Sequence, residues 1–309
     1  MNKRVLITGG SGLVGRHLCQ ELANRGYGVN VLTRATDTEG EDPIRYFNWD
    51  VEKGHIDPGC LEGVTYVIHL AGENIGALPW SNRRKEAIVD SRIDSIAILY
   101  RHMETAPNDI KAVVSASATG YYGDRGAEVL SEEHAPKKGF LGDTCVRWER
   151  AVQDGRRLGL RTVSLRSGAV LATKGGMYGR LRSLARAGLG VIFGNGRQYL
   201  PWVHIDDAVQ AYIHAMERPS LSGAYNLVAP EQVTLADFTR QLAAFFGRSV
   251  WTPPIPVVLL KMVMGQMSQL LLDSTRASAD KLLASGFEFR YPTLGSAIAQ
   301  LERAEETND

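Results

Sequence analysis

The chain opens with an apolar run, Val5-Leu6-Ile7-Thr8, that leads directly into Gly9-Gly10-Ser11-Gly12-Leu13-Val14-Gly15. A strand that ends in glycines and restarts at once as a helix must take a tight corner, and glycine tolerates such corners because it has no β-carbon. Gly9 suits the turn itself, Gly12 a close approach of a ligand to the backbone, and Gly15 close contact between helix and strand. The segment that follows carries an apolar stripe at Leu13, Val14, Leu18 and Leu22, and Gly26 stands where a helix C-cap would end it. The unpaired N–H groups and positive dipole end of such a helix attract anions. Gly9, Ser11, Gly12, Leu13, Val14 and Gly15 are therefore expected to surround the phosphates of a dinucleotide.

Further β-branched runs occur at Val29–Thr33, Val64–Leu70, Ala112–Ser115 and Thr162–Leu165, most of them separated by helix-like segments. Continuous apolar strands that alternate with helices predict an α/β fold: a doubly wound, Rossmann-type parallel sheet covered on both faces. After Leu165 the pattern loosens around Gly175, Gly176, Gly188, Gly190, Gly194 and Gly196. A helix is predicted at Asp206–Glu217, a strand at Ala224–Val228 and a helix at Leu235–Phe246. The division expected is a cofactor domain over 1–165 with returning segments near 200–228, and a smaller, discontinuous substrate domain mainly over 166–309. Without a linker, the two should pack together.

Composition excludes several classes. The 35 basic and 34 acidic residues leave a net charge of +1, so no bulk field points to nucleic acid or an anionic membrane. Cys19, Cys60 and Cys145 are odd in number and widely spaced, which fits free thiols in the reducing cytoplasm and suggests no metal site. The first apolar run is too short for a signal peptide. Val257–Leu272 is interrupted by polar residues and short of the roughly 20 needed to span a bilayer, so a buried helix is expected there.

The end of the second strand separates the nicotinamide cofactors. A NAD site places a carboxylate there to accept from the ribose 2′-hydroxyl; this chain has Thr33-Arg34. A guanidinium suits a 2′-phosphate instead, so NADP(H) is favoured; the alternative for Arg34 is a solvated loop charge.

The glycine corner and His69-Leu70-Ala71-Gly72 resemble the extended short-chain dehydrogenases/reductases. Leu70–Ile75, Ser91-Arg92-Ile93, Ser115–Gly123, Trp148-Glu149, Leu165–Leu171, Pro201–Asp207, Gly223–Leu227 and Gly286–Phe289 are similar, more narrowly, to an atypical NADP-binding, epimerase-like subgroup. The resemblance implies that Leu70 and Ala71 line the sheet edge beside the cofactor, that Arg92 lies on a helix behind its nicotinamide half, and that Val170 lies near the nicotinamide. Plain core packing is the other reading for Leu70, Ala71 and Val170.

The superfamily's chemistry uses a Ser or Thr with a Tyr-x-x-x-Lys pair, in which the lysine lowers the tyrosine pKa for acid–base work. Ser117 stands at the serine position, but the tyrosine and lysine positions hold Leu141 and Cys145. Tyr121 and Tyr122 follow the serine loop and are candidate substitute acids, with packing or substrate contact as the alternative. Asp143 and Glu149 are candidate bases, with surface or helix-cap roles as the alternative. Cys145 is a weaker candidate nucleophile. Arg182, with Arg180 and Arg186, could grip a nucleotide-sugar diphosphate or form a solvated face. Trp202 and His204 are candidate substrate contacts, and His69 reads as structural. These readings lead to an NADP(H)-binding, epimerase-like oxidoreductase with a small-molecule substrate, a nucleotide sugar being one option. A non-catalytic NADP-binding sensor or interaction protein is the alternative. A homodimer is compatible with the resemblance.

Overall fold

Val5 and Ile7 bury into one apolar cluster while Leu6, between them, buries into another. Successive side chains of a strand point to opposite faces, so this strand is covered on both. The structure is a computed structural model that describes residues 3–35, 41–249 and 254–306. In chain order it begins β1 (Arg4–Thr8), α1 (Leu13–Asn24), β2 (Gly28–Thr33), β3 (Ile44–Asp50), β4 (His55–Ile56) and β5 (Val64–His69). Next come α2 (Asn82–Thr105), β6 (Ala112–Ala118), β7 (Val129–Leu130), α3 (Phe140–Gln153), β8 (Arg161–Ser167), β9 (Ala169–Leu171) and α4 (Gly176–Arg186). Then follow β10 (Tyr199–Leu200), β11 (Trp202–His204), α5 (Ile205–Glu217), β12 (Gly223–Leu227), β13 (Val233–Thr234) and α6 (Leu235–Phe245). The last elements are α7 (Val257–Met264), α8 (Gln269–Leu272), β14 (Arg276–Ala277), α9 (Asp280–Ala284) and α10 (Leu294–Glu306).

The main sheet has the order β12-β8-β6-β5-β1-β2-β3-β4. Its pairings are parallel except that of β3 with β4. This is the predicted doubly wound arrangement. The chain winds outward from β1 to β3 and then returns to place β5 on β1's other side, which opens a crevice beyond the C-terminal ends of the strands. Leu18 and Leu22 of α1 and Val209 and Ile213 of α5 cover one face. Ile96 and Leu99 of α2, with Trp148 and Val152 of α3, cover the other. A third cluster holds Tyr178, Leu181, Phe238, Leu242 and Ile298; Leu13, Val14 and Val170 pack against it, so it abuts the crevice.

Gly26 ends α1 as expected. It takes a φ of 81°, and the N–H groups of Gly26 and Tyr27 donate to the carbonyls of Ala23 and Leu22, closing the helix end. Two expectations change. The list of strands omitted β3, which is only half-buried and therefore has no continuous apolar run. Val257–Leu272 is not a buried helix: α7 stops at Gly265, with Val258, Met262 and Val263 exposed by 72%, 77% and 72%. Among the described residues, no helix is long and apolar enough to cross a membrane, and no cluster of potential metal ligands occurs.

Candidate cofactor and active site

The glycine corner is held by sterics. Gly9 has a φ of 70°, and a β-carbon there would stand 2.9 Å from the Leu70 carbonyl. A β-carbon on Gly15 would stand 2.2 Å from the carbonyl oxygen of Gly9. Thr8 ties the corner to the neighbouring loop, its Oγ1 accepting from the N–H groups of Leu70 and Ala71, both at 3.1 Å. The start of α1 is open. Gly12 caps it without a side chain, and the first turn has no acidic residue. The N–H groups at such a start lack intrahelical partners, so this cradle fits a pyrophosphate. Ser11 is exposed on the corner, whereas Leu13 and Val14 are half-buried against the third cluster. Leu13 also approaches the Gly175-Gly176 loop: a β-carbon on Gly176 would lie 3.6 Å from it and 3.5 Å from the Val170 carbonyl oxygen. Arg34 is exposed at the bend after β2, and residues 36–40, which follow, lie outside the described residues.

On the β5–β6 side, Arg92 reaches from α2 beneath the loop after β5. It donates to the carbonyls of Ile88 and Glu73 at 2.7 and 3.1 Å, and its guanidinium lies 5.0 Å from the Trp148 ring centroid. Cys145 comes from α3, with Sγ 3.6 Å from the carbonyl of Ala118. Burial, with Glu149 adding to it, pushes its pKa up to about 12 against the pull of Arg92. The thiol is thus neutral at ordinary pH, which removes the basis for a nucleophile. Below this level His69 bonds Ser115 and Ser95 through its two ring nitrogens, the structural role read from its position.

Ser117 points its hydroxyl at Glu149, with Oγ 2.6 Å from Oε1. Arg166 binds both oxygens of the same carboxylate at 2.8 Å. Glu149 is therefore no surface or cap residue; it is the centre of a buried network. Asp143 does take a cap role, accepting from the N–H of Gly139 at 3.3 Å. Tyr122 must be withdrawn as a substitute acid. It is fully buried, donates to Asn226 at 2.8 Å, accepts from Arg166 at 2.9 Å, and burial pushes its pKa up to about 12. Tyr121 is half-buried, with its ring centroid 3.4 Å from the Arg166 guanidinium carbon. Leu141, which packs 3.5 Å from where a Gly120 β-carbon would be, brings only methyl groups.

Three expected substrate contacts are spent elsewhere. Trp202 is 1% exposed and gives its indole N–H to the Glu231 carbonyl at 3.0 Å. His204 is buried, accepts from the Asp206 N–H at 3.1 Å to cap α5, and meets Gln300 at 2.8 Å through Nε2. Arg182 places Nε 2.8 Å from both carboxylate oxygens of buried Glu302. All three pack the second half of the chain. Arg180 and Arg186 remain exposed.

A cleft of about 620 Å³, ample for a small molecule, opens between Asp124, Arg197, Tyr199, Lys261 and Asp273. Burial and the charge of Asp124 push the Asp273 carboxyl up to about 6, with Lys137 opposing. The sequence reading missed these residues. They come from distant segments, and the sole signal was the position of Asp124 immediately after the Tyr121-Tyr122-Gly123 loop.

Comparison with known proteins agrees with this architecture. Residues 5–228 match the profile of the NAD dependent epimerase/dehydratase family, and residues 255–301 match a domain of unknown function. An epimerase family protein of Mycobacterium bovis is 36% identical over 301 residues, covering 96% of this chain and 97% of its own. One from Staphylococcus aureus is 32% identical over 302 residues, covering 97% and 99%. The crystal structure of the human epimerase family protein SDR39U1 with NADPH superposes with a TM-score of 0.85 at 29% identity, covering 97% and 99%. The glycine corner, the strand order and these relatives together make the chain a member of the NAD-dependent epimerase/dehydratase family, within the extended short-chain dehydrogenases/reductases.

Proposed function

We propose that the protein binds NADP(H) in the crevice beyond β1 and β5 and is an epimerase-like oxidoreductase for a small molecule, with nucleotide sugars the first class to test. The observation that carries this reading is the start of α1, which no side chain caps, together with the exposed Arg34 just after β2, where the described residues 34 and 35 bring no carboxylate. The N–H groups at the start of α1 would hold the pyrophosphate, Arg34 the 2′-phosphate, and Leu70, Ala71 and Val170 would flank the nicotinamide half. The presence of NADPH in the human relative supports the phosphorylated cofactor. The free state of Cys19, Cys60 and Cys145 supports a cytoplasmic setting.

When bound, the nicotinamide supplies a hydride donor or acceptor. Ser117 has its own proton directed at Glu149, so it would meet a substrate hydroxyl as an acceptor. A proton could then pass from the substrate to Ser117 while the serine proton passes to Glu149. Arg166 holds that carboxylate in place, with its Nε 2.8 Å from Oε1. Single-turnover absorbance of the nicotinamide, read against nucleotide sugars and simpler carbonyl compounds, tests the reading. Hydride transfer that falls at least a hundredfold in Ser117→Ala is the expected result. No transfer across the panel with cofactor bound would overturn it.

One observation favours a second reading, a non-catalytic NADP(H) sensor: Leu141 and Cys145 leave α3 without a tyrosine or lysine, and Tyr122 is locked away. A protein partner whose affinity changes between NADP⁺ and NADPH is then expected in pull-down experiments. Interactions indifferent to the cofactor would reject it.

A further inference from the structure

Arg92 is a half-buried cation with no carboxylate of its own. Its two terminal nitrogens bond main-chain carbonyls, which carry dipoles and no net charge. Glu73, whose charge it feels, is already paired with Arg84 at 2.8 Å, and the acids nearest to it in sequence, Asp90 and Asp94, form no ion pair with it. No ion pair of Arg92 occurs among the described residues. Across from it lies Cys145, neutral at ordinary pH, at the position where α3 lacks a lysine. A guanidinium stays protonated even when burial lowers its pKa, as it does here. A full positive charge is therefore held at a fixed place.

That place is informative. A β-carbon on Gly72, just past β5, would lie 3.1 Å from Arg92, and Cys145, which feels its charge, bonds the Ala118 carbonyl at the end of β6. In a doubly wound dinucleotide fold the first nucleotide half belongs to the β1–β3 side, and the second lies across the switch point toward β5 and β6.

We infer that Arg92 supplies the positive charge of the nicotinamide end of the crevice, in place of the lysine absent at Cys145, and makes the protein prefer NADPH over NADP⁺. The inference rests on the cofactor reading above. The oxidised ring carries a positive charge and the reduced ring none, so a fixed guanidinium repels the first and tolerates the second. At an effective dielectric of about 20, a unit charge within about 8 Å discriminates by roughly tenfold or more before salt screening.

Calorimetric titrations of the full chain at pH 7.5 test this, using NADPH, NADP⁺ and adenosine 2′,5′-bisphosphate, which lacks the nicotinamide. The wild type is expected to bind NADPH about tenfold more tightly than NADP⁺. Arg92→Met should bring the ratio close to one, Arg92→Lys should keep most of it, and the bisphosphate should bind all three proteins alike. Equal or tighter binding of NADP⁺ by the wild type would overturn the inference, a result that needs no variant to fold. So would a wild-type ratio in Arg92→Met that still binds the bisphosphate normally. If the wild type binds none of the three compounds, the cofactor reading itself fails.

Discussion

Arg166 grips Glu149 through two hydrogen bonds of 2.8 Å, with side-chain exposures of only 4% and 7%. Breaking a buried pair by removing one partner leaves the other charge without compensation in a poorly solvated place. Glu149→Gln should therefore lower folding stability by about 3 kcal/mol, read from urea denaturation, because Arg166 stays behind. It also takes away the anion that accepts the Ser117 proton, so any hydride transfer should fall together with stability. An unchanged denaturation midpoint would show that Arg166 reaches water.

Gly15→Ala tests the corner. The added methyl would stand 2.2 Å from the Gly9 carbonyl oxygen and 2.8 Å from the Gly10 Cα, both main-chain atoms. Helix and strand must then separate, which should cost about 1–3 kcal/mol as overpacking and weaken NADPH binding at least tenfold. Gly26→Ala is the control. Its φ of 81° strains an alanine, but it sits in open space at the far end of α1. It should lose stability and keep NADPH affinity.

How much of this could be read from the chain alone follows from the physics of each part. The strands buried on both faces show as unbroken apolar runs, as at Val5–Ile7 and Ala112–Val114, and the corner shows because its sterics admit only glycine. β3 does not show, because Arg45 and Asn48 interrupt its apolar residues and it lies one strand from the edge. The site's polar partners are less legible still. Arg182 and Glu302 lie 120 positions apart, and Tyr122 and Asn226 lie 104 apart. No periodicity links such pairs, so an arginine spent on an ion pair looked free to hold a phosphate.

His69 gives a pH dependence. Burial, with Arg92 adding to it, pushes its imidazole down to about 3 in the folded chain, against about 6.5 when unfolded. Between these values the unfolded chain binds the proton that the folded one refuses, so stability rises with pH across the window. The contribution is complete above about pH 6.5 and is lost on acidification, by about 1 kcal/mol per pH unit. Urea midpoints at pH 5 and 7 should differ in this direction, and His69→Asn should flatten the difference. An equal slope in the variant would assign it to other groups.

Arg182 separates a structural from a ligand-binding role. Glu302 receives Arg182 Nε and the Tyr178 hydroxyl, each at 2.8 Å, and so fastens α10 to α4. Arg182→Ala leaves a buried carboxylate with one neutral partner and should cost about 3 kcal/mol. KM for any substrate found should stay within about twofold. A large rise in KM without a change in melting temperature would return Arg182 to the substrate site.

Arg34 decides between the two nicotinamide cofactors. It is exposed at the end of β2, where a carboxylate would accept from a ribose 2′-hydroxyl and a guanidinium pairs with a 2′-phosphate. A charge-assisted hydrogen bond contributes about 1.5–3 kcal/mol, and solvent exposure places this one at the lower end. Arg34→Ser should thus weaken NADPH by about tenfold and leave NADH nearly unchanged. Arg34→Asp should go further, because the new carboxylate repels the phosphate and can accept from the free hydroxyl. The wild-type preference for NADPH should shrink as salt is raised, since an exposed pair is screened. Equal binding of NADPH and NADH by the wild type, indifferent to salt and to both substitutions, would remove Arg34 from the cofactor site.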